Sequence, residues 1–303
     1  MDRPSEGKLL AALVAVQVAF GGMGVAAKLV FPHLSPFALA LARLLAAAVV
    51  LVALERVLVR APRPPARDLA MFALFALLGT VLNIGLYLAG LERTTATNAI
   101  LLIATIPAFT LLVAAVLGRE RADAVQVGGL LLSFAGVAGL VYAKGGTFEI
   151  GGIAGDLMVV ANSLCYSVYL VLSKPYLARY DSATLVAWVF AFGAVEMSLV
   201  AVPDLLRADW GGLGGAGWAG FAYVLLFGTV LTYSLNAWAL RHASASHVAN
   251  FVYLQPVVGV LAAWLILGEP LSGPILLAGV VILAGVTLAT RGFRSRRAGN
   301  PTE

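Results

Sequence analysis

Charge is scarce in this chain: Asp, Glu, Lys and Arg make up 12% of its 303 residues, where soluble domains carry about a quarter. Cysteine is scarcer still. The single Cys165 lies inside an apolar run, which excludes an intrachain disulfide and leaves no thiol set for a metal. The three histidines, His33, His242 and His247, lack the H-E-x-x-H spacing of a zinc hydrolase. No G-x-x-x-x-G-K-[ST] phosphate loop occurs, so the chain does not power itself with ATP and implies no ATPase subunit. The Gly-rich stretch 211–217 follows no strand pattern and reads as a loop before a helix. These gaps leave no basis for a cofactor, a metal or an enzymatic reaction.

Apolar residues fill the space that charge vacates. They make up 61% of the chain, and the mean hydropathy is +0.95, which places the protein in the bilayer. Runs free of Asp, Glu, Lys and Arg cover 9–27, 69–91, 94–118, 124–143, 157–173, 211–240, 242–268 and 270–290. Two further apolar segments, 36–59 and 183–203, carry one mid-segment charge each, Arg43 and Glu196. About 20 apolar residues cross a hydrocarbon core of roughly 30 Å. The pattern predicts an all-α membrane protein of ten transmembrane helices, at about 9–31, 36–59, 69–91, 96–118, 124–143, 153–173, 183–203, 217–240, 246–267 and 272–290. The first run ends without a small-residue cleavage site and is read as a span, not a leader.

The excess positive charge, +5, sits in short patches between spans, which points to a membrane surface and not to nucleic acid. Counting basic residues by alternate side orients the chain. With the N-terminus in the cytoplasm, the inside holds Arg3, Lys8, Arg56, Arg60, Arg63, Arg67, Arg119, Arg121, Lys174, Arg179, Arg241 and the run Arg291, Arg294, Arg296 and Arg297. The outside holds only Arg93, Lys144 and Arg207. Both termini are therefore expected in the cytoplasm.

A shift of 149 residues brings the chain onto itself. It lays Leu78-Gly79-Thr80-Val81-Leu82 on Phe227-Gly228-Thr229-Val230-Leu231, Pro107 on Pro256 and Glu120 on Glu269. The proline and glutamate pairs carry this reading, because both residue types are rare in or beside a span. The chain divides into residues 1–145 and 146–303, each with five helices. An odd number of spans forces the second copy to enter the membrane from the opposite side. Inverted repeats of this kind characterise secondary transporters, whose substrate site lies at the midplane between the halves.

Polar residues inside spans need partners or water, so those that share a helix face mark a pathway. Thr80, Asn83 and Tyr87 share one face of the third span, and Thr229, Thr232 and Asn236 occupy the equivalent face of the eighth. Asn162, Tyr166, Tyr169 and Ser173 line the sixth, and Gln17 with Gly21, Gly24 and Lys28 the first. Asn98 comes from the fourth span; His247, Asn250 and Tyr253 come from the ninth. The candidate substrate-cavity set is Gln17, Asn83, Tyr87, Asn98, Asn162, Tyr166, Tyr169, Asn236, Asn250 and Tyr253. Asn, Thr and Ser also cross-link neighbouring helices, so no single member is decisive. Pro107 and Pro256 each remove an N–H and displace the carbonyl four residues back, which makes them a matched pair of candidate hinges. Arg43, Glu196 and His247 are candidates for charge recognition or proton coupling. Gly128, Gly129 and Gly136 read as packing devices.

Several of these residues resemble a known family. Phe20-Gly21, Lys28, Ser35-Pro36-Phe37 and Arg43 look like the opening of an EamA domain, and the block from Pro107 to Glu120 recurs as Pro256 to Glu269. The chain is similar to two EamA repeats of the drug/metabolite transporter superfamily, and within it to bacterial inner-membrane amino-acid exporters of the YddG type. The resemblance implies alternating access and efflux of amino acids, aromatic ones included, or of related metabolites. Its implied partners are a small-molecule substrate and the lipid bilayer. The second copy has no counterpart of Arg43, and Phe20 stands where the family usually has tryptophan. Efflux of cationic drugs is the alternative and calls for a carboxylate in the cavity; a head-group enzyme would call for clustered His, Asp or Glu at one interface.

Overall fold

The computed structural model describes residues 5–119, 123–142 and 150–290, and every regular element among them is helical. Eight helices are long and apolar enough to cross a membrane: α1 (Glu6–Val30), α2 (Pro36–Leu58), α3 (Ala66–Arg93), α4 (Ala96–Val116), α6 (Ile150–Leu177), α7 (Ser182–Leu206), α8 (Gly214–His242) and α9 (Ala245–Leu267). Two shorter apolar helices, α5 (Ala124–Tyr142) and α10 (Gly273–Thr290), complete the set. In lipid the backbone must satisfy its own hydrogen bonds, and a helix does so within one segment. Leu199, 82% exposed, and Val49, 72% exposed, belong to the apolar outer surface that faces the acyl chains. The expected boundary at 145/146, Glu120, Lys144 and the basic run after Thr290 lie outside the described residues.

Short polar residues set several helix starts. Ser35 Oγ accepts from Ala38 N at 3.2 Å, ahead of Pro36 in the first turn of α2. Thr95 Oγ1 accepts from Asn98 N at 3.0 Å to begin α4, and Ser244 Oγ accepts from His247 N at 3.2 Å to begin α9. Thr95 and Ser244 are themselves 149 residues apart.

Four irregularities fall at matching places in the two halves. A π-helical segment, Leu77–Leu82, interrupts α3, and another, Leu226–Leu231, interrupts α8. α4 tightens at Ala104 and Thr105, whose N–H groups donate to Leu101 O and Leu102 O three residues back. α9 tightens into a 3₁₀ turn at Phe251–Tyr253. Pro107 and Pro256 follow these turns directly. A proline ring crowds the carbonyl four residues earlier, at Ile103 or Val252, so the preceding turn closes on a shorter bond.

Helices pair across the halves: α2 with α7, α5 with α10, α3 with α6, and α1 with α8. Exchanging the first five helices for the second five maps this set of contacts onto itself. The α5–α10 contact is backbone to backbone. A Cβ on Gly136 would come within 2.7 Å of Ile282 N, and one on the equivalent Gly285 would collide with Ser133 N, so both positions demand glycine.

Candidate functional site

A cavity lies where the halves meet. The first half supplies Phe20, Met23, Arg43, Asn83, Ile84, Tyr87, Ile103 and Ile106; the second supplies Asn162, Tyr166, Tyr233 and Gln255. Ile84 with Tyr233 and Ile106 with Gln255 are equivalent under the 149-residue shift, so the lining inherits the repeat. The mixture of aromatic faces with a few polar groups is what small-ligand pockets use. Tyr233 is the centre of the aromatic wall, meeting Phe190, Phe20 and Tyr166 edge to face at centroid separations of 4.8, 6.1 and 6.4 Å.

The two π segments shape the polar part of this wall. Asn83 N–H turns to Thr80 O, and Thr232 N–H turns to Thr229 O. The carbonyls just before, of Gly79 and Gly228, each accept from another helix. Tyr233 Oη sits 3.1 Å from Gly79 O and 2.9 Å from Asn83 Oδ1, and Arg43 Nη2 donates to Gly228 O at 3.1 Å. Arg43 Nε also donates to Thr229 Oγ1 at 2.9 Å, and Nη1 approaches Met23 Sδ at 3.7 Å. The Arg43 side chain is fully buried.

A second, smaller cavity adjoins the first, with Phe20, Tyr166 and Gln255 common to both. Gln17, Leu170, Asn236 and Val248 also line it. Gln255 Nε2 donates to Gln17 Oε1 at 2.5 Å, and Asn236 Nδ2 donates to the Tyr166 hydroxyl at 2.6 Å, so two hydrogen bonds cross this narrow part.

The residues expected at a pathway therefore separate. Asn83, Tyr87, Asn162, Tyr166 and Arg43 face the larger cavity, while Gln17 and Asn236 face the smaller one. Tyr169 packs against Phe75 and Gly79 outside both. Asn98 is buried in the first turn of α4, and Tyr253 lies in the 3₁₀ turn of α9, neither lining a cavity. Glu196 and His247 do not line the cavities; one Glu196 carboxylate oxygen is buried without a partner, and the His247 ring lies 5.6 Å from that of Phe251. The Asn250 side chain lies outside the description. Sequence reasoning missed Tyr233 and Gln255. The repeat held the signal, since Gln255 precedes Pro256 as Ile106 precedes Pro107.

Both ends of the cavity region are tied. Where α4 begins, Glu269 at the end of α9 accepts from Ala96 N at 2.8 Å and Thr97 N at 2.9 Å, and Lys28 Nζ donates to Thr94 O at 2.8 Å. Where α8 ends, Lys174 Nζ donates to the carbonyls of Leu240 and Arg241. Among the described residues no cluster of His, Cys, Asp and Glu suits a metal.

Comparison with known proteins bears on this geometry. The model of the EamA-like transporter family matches residues 7–142 and again residues 153–291. A transporter of Archaeoglobus fulgidus, described as uncharacterized, is 30% identical over 92% of this chain and 96% of its own length. A probable terminal-alkyne amino-acid exporter of Streptantibioticus cattleyicolor is 30% identical over 94% of this chain and 91% of its own. A WAT1-related protein of Arabidopsis thaliana is 26% identical over 95% and 87%. A solved crystal structure covering 97% of this chain shares its fold, with a TM-score of 0.69 at 20% identity. With its family's model matched twice and relatives alike over nearly their whole length, the chain belongs to the EamA-like transporter family and is a multi-pass membrane transporter of small molecules.

Proposed function

We propose that the protein is a secondary transporter that exports small metabolites, amino acids foremost, across a bacterial inner membrane, with both termini in the cytoplasm. The observation that carries this reading is the cavity whose walls come from both halves of the chain. A solute held there is released to either side as one half rocks against the other. The weak points of α4 and α9 just before Pro107 and Pro256 supply hinges, and the contacts of Glu269 and Lys174 supply closures at opposite ends.

The lining favours amino acids over cationic drugs. It contains a guanidinium and no carboxylate, and Glu196 lies elsewhere. The rings of Phe20, Tyr87, Tyr166 and Tyr233 offer π-faces to an ammonium or an apolar side chain. The amino-acid exporter of Streptantibioticus cattleyicolor lends the substrate class further support.

Reconstitution into liposomes, followed by counterflow of a panel of labelled amino acids with and without a pH gradient, tests the proposal. Saturable flux that falls when Tyr87 or Tyr166 is changed to Ala is the expected result. Absence of flux for the whole panel, in protein that remains monodisperse, refutes it. Flux indifferent to the gradient removes proton coupling alone.

A further inference from the structure

The Arg43 guanidinium is a charge for which the fold shows no need. It is fully buried in the membrane-spanning core, where an uncompensated cation costs about 2.5–3.5 kcal/mol. Among the described residues no carboxylate lies within ion-pair distance of it; every ion pair found joins other residues. Its contacts are a hydroxyl, a backbone carbonyl and a thioether.

The repeat supplies an internal control. The second half has no counterpart of Arg43, and Thr80, the equivalent of Thr229, packs on Gly193 of α7. There the carbonyl of Gly79 is met by the neutral hydroxyl of Tyr233. A neutral hydroxyl from α8 thus serves one of two equivalent carbonyls and a cation from α2 serves the other, so such a carbonyl does not by itself call for a charge.

The cavity does account for it. Arg43 lines it beside Asn83, Tyr87 and Tyr233. A guanidinium has five N–H donors in a planar fork, and the three contacts of Arg43 leave two of them for a ligand. We propose that Arg43 is the carboxylate-binding residue of the central cavity, so that the substrates are small metabolites with one free carboxylate. This rests on the transport reading above. Carboxylate oxygens match the guanidinium fork. One cation balances one anion, which favours monocarboxylates and zwitterions over dianionic phosphate esters and over cations without an acid group. Because the same guanidinium holds Thr229 and Gly228 of α8, a bound carboxylate is felt by both halves.

The test is counterflow in proteoliposomes with matched probes: L-phenylalanine, L-leucine and 3-phenylpropanoate against L-phenylalaninamide, L-leucinamide and 2-phenylethylamine. The acids are expected to move saturably, and the amides and amine at least about tenfold more slowly, the factor that 1.4 kcal/mol represents. Arg43→Gln is expected to erase the preference of acid over amide, and Arg43→Lys to keep part of it. Amides moving as fast as acids in the wild-type protein overturn the assignment while leaving transport intact, and this comparison stands even if Arg43→Gln fails to fold. A folded Arg43→Gln that still prefers acids also overturns it. No flux of any probe removes the transport reading, and the assignment with it.

Discussion

Glu269 is the residue whose removal reports most directly on how one end of the cavity is held shut. Its two carboxylate oxygens accept from Ala96 N and Thr97 N at 2.8 and 2.9 Å, capping the first turn of α4 from the opposite half of the chain. A hydrogen bond to a charged group contributes about 1.5–3 kcal/mol, and an anion at a helix N-terminus about 0.3–1 kcal/mol more. Glu269→Gln keeps one acceptor, turns an NH₂ toward a backbone N–H and deletes the charge. The expected cost is about 2–3 kcal/mol in the closed state, which shifts the open-to-closed ratio roughly 30- to 150-fold. The assay is the labelling rate of a cavity cysteine, Ile103→Cys in a Cys165→Ala background, with a membrane-impermeant maleimide. Labelling accelerates from the side where α4 begins, which the proposed orientation makes the cell exterior, and the melting temperature falls. An unchanged labelling rate together with an unchanged melting temperature would falsify the view that this carboxylate closes the cavity.

Further outcomes follow from local geometry. Gly136→Val forces a branched side chain to within 2.7 Å of Ile282 N and is expected to cost about 1–3 kcal/mol, read as a lower melting temperature in detergent. Gly128→Ala, where a Cβ meets nothing within 4 Å, is expected to cause no loss; equal destabilisation by both would refute the α5–α10 contact. Tyr180, in the loop after α6, donates to Asp68 Oδ2, and that hydrogen bond raises its pKa above the ordinary 10.0. A phenol whose pKa is raised by folding stabilises fully below its unfolded value and loses that contribution as pH climbs through the folded value. Tyr180→Phe should therefore cost about 1–2 kcal/mol at neutral pH and abolish the part of the alkaline decline above the ordinary phenol value of 10.0 that this group causes. A wild-type melting profile that matches the variant across that range would remove Tyr180 as a contributor.

The amino-acid sequence by itself determined the membrane class, the helical segments and the equivalence of the two halves, because each rests on local physics. A charge-free run longer than the bilayer is thick has only the helix open to it, and Pro107 with Pro256 marks the repeat whatever surrounds them. Helical spacing also placed Asn83 and Tyr87 on one face, where the structure finds both lining the cavity. Tertiary structure decided which faces converge. Tyr169 keeps helical spacing with Tyr166 yet packs against Gly79, and Tyr233 and Gln255 enter the lining although neither was singled out in the sequence. The π segments explain part of this, since a widened turn rotates every later side chain. Partners for the carbonyls of Gly79 and Gly228, Tyr233 and Arg43, lie more than 150 residues away, a distance that only packing bridges.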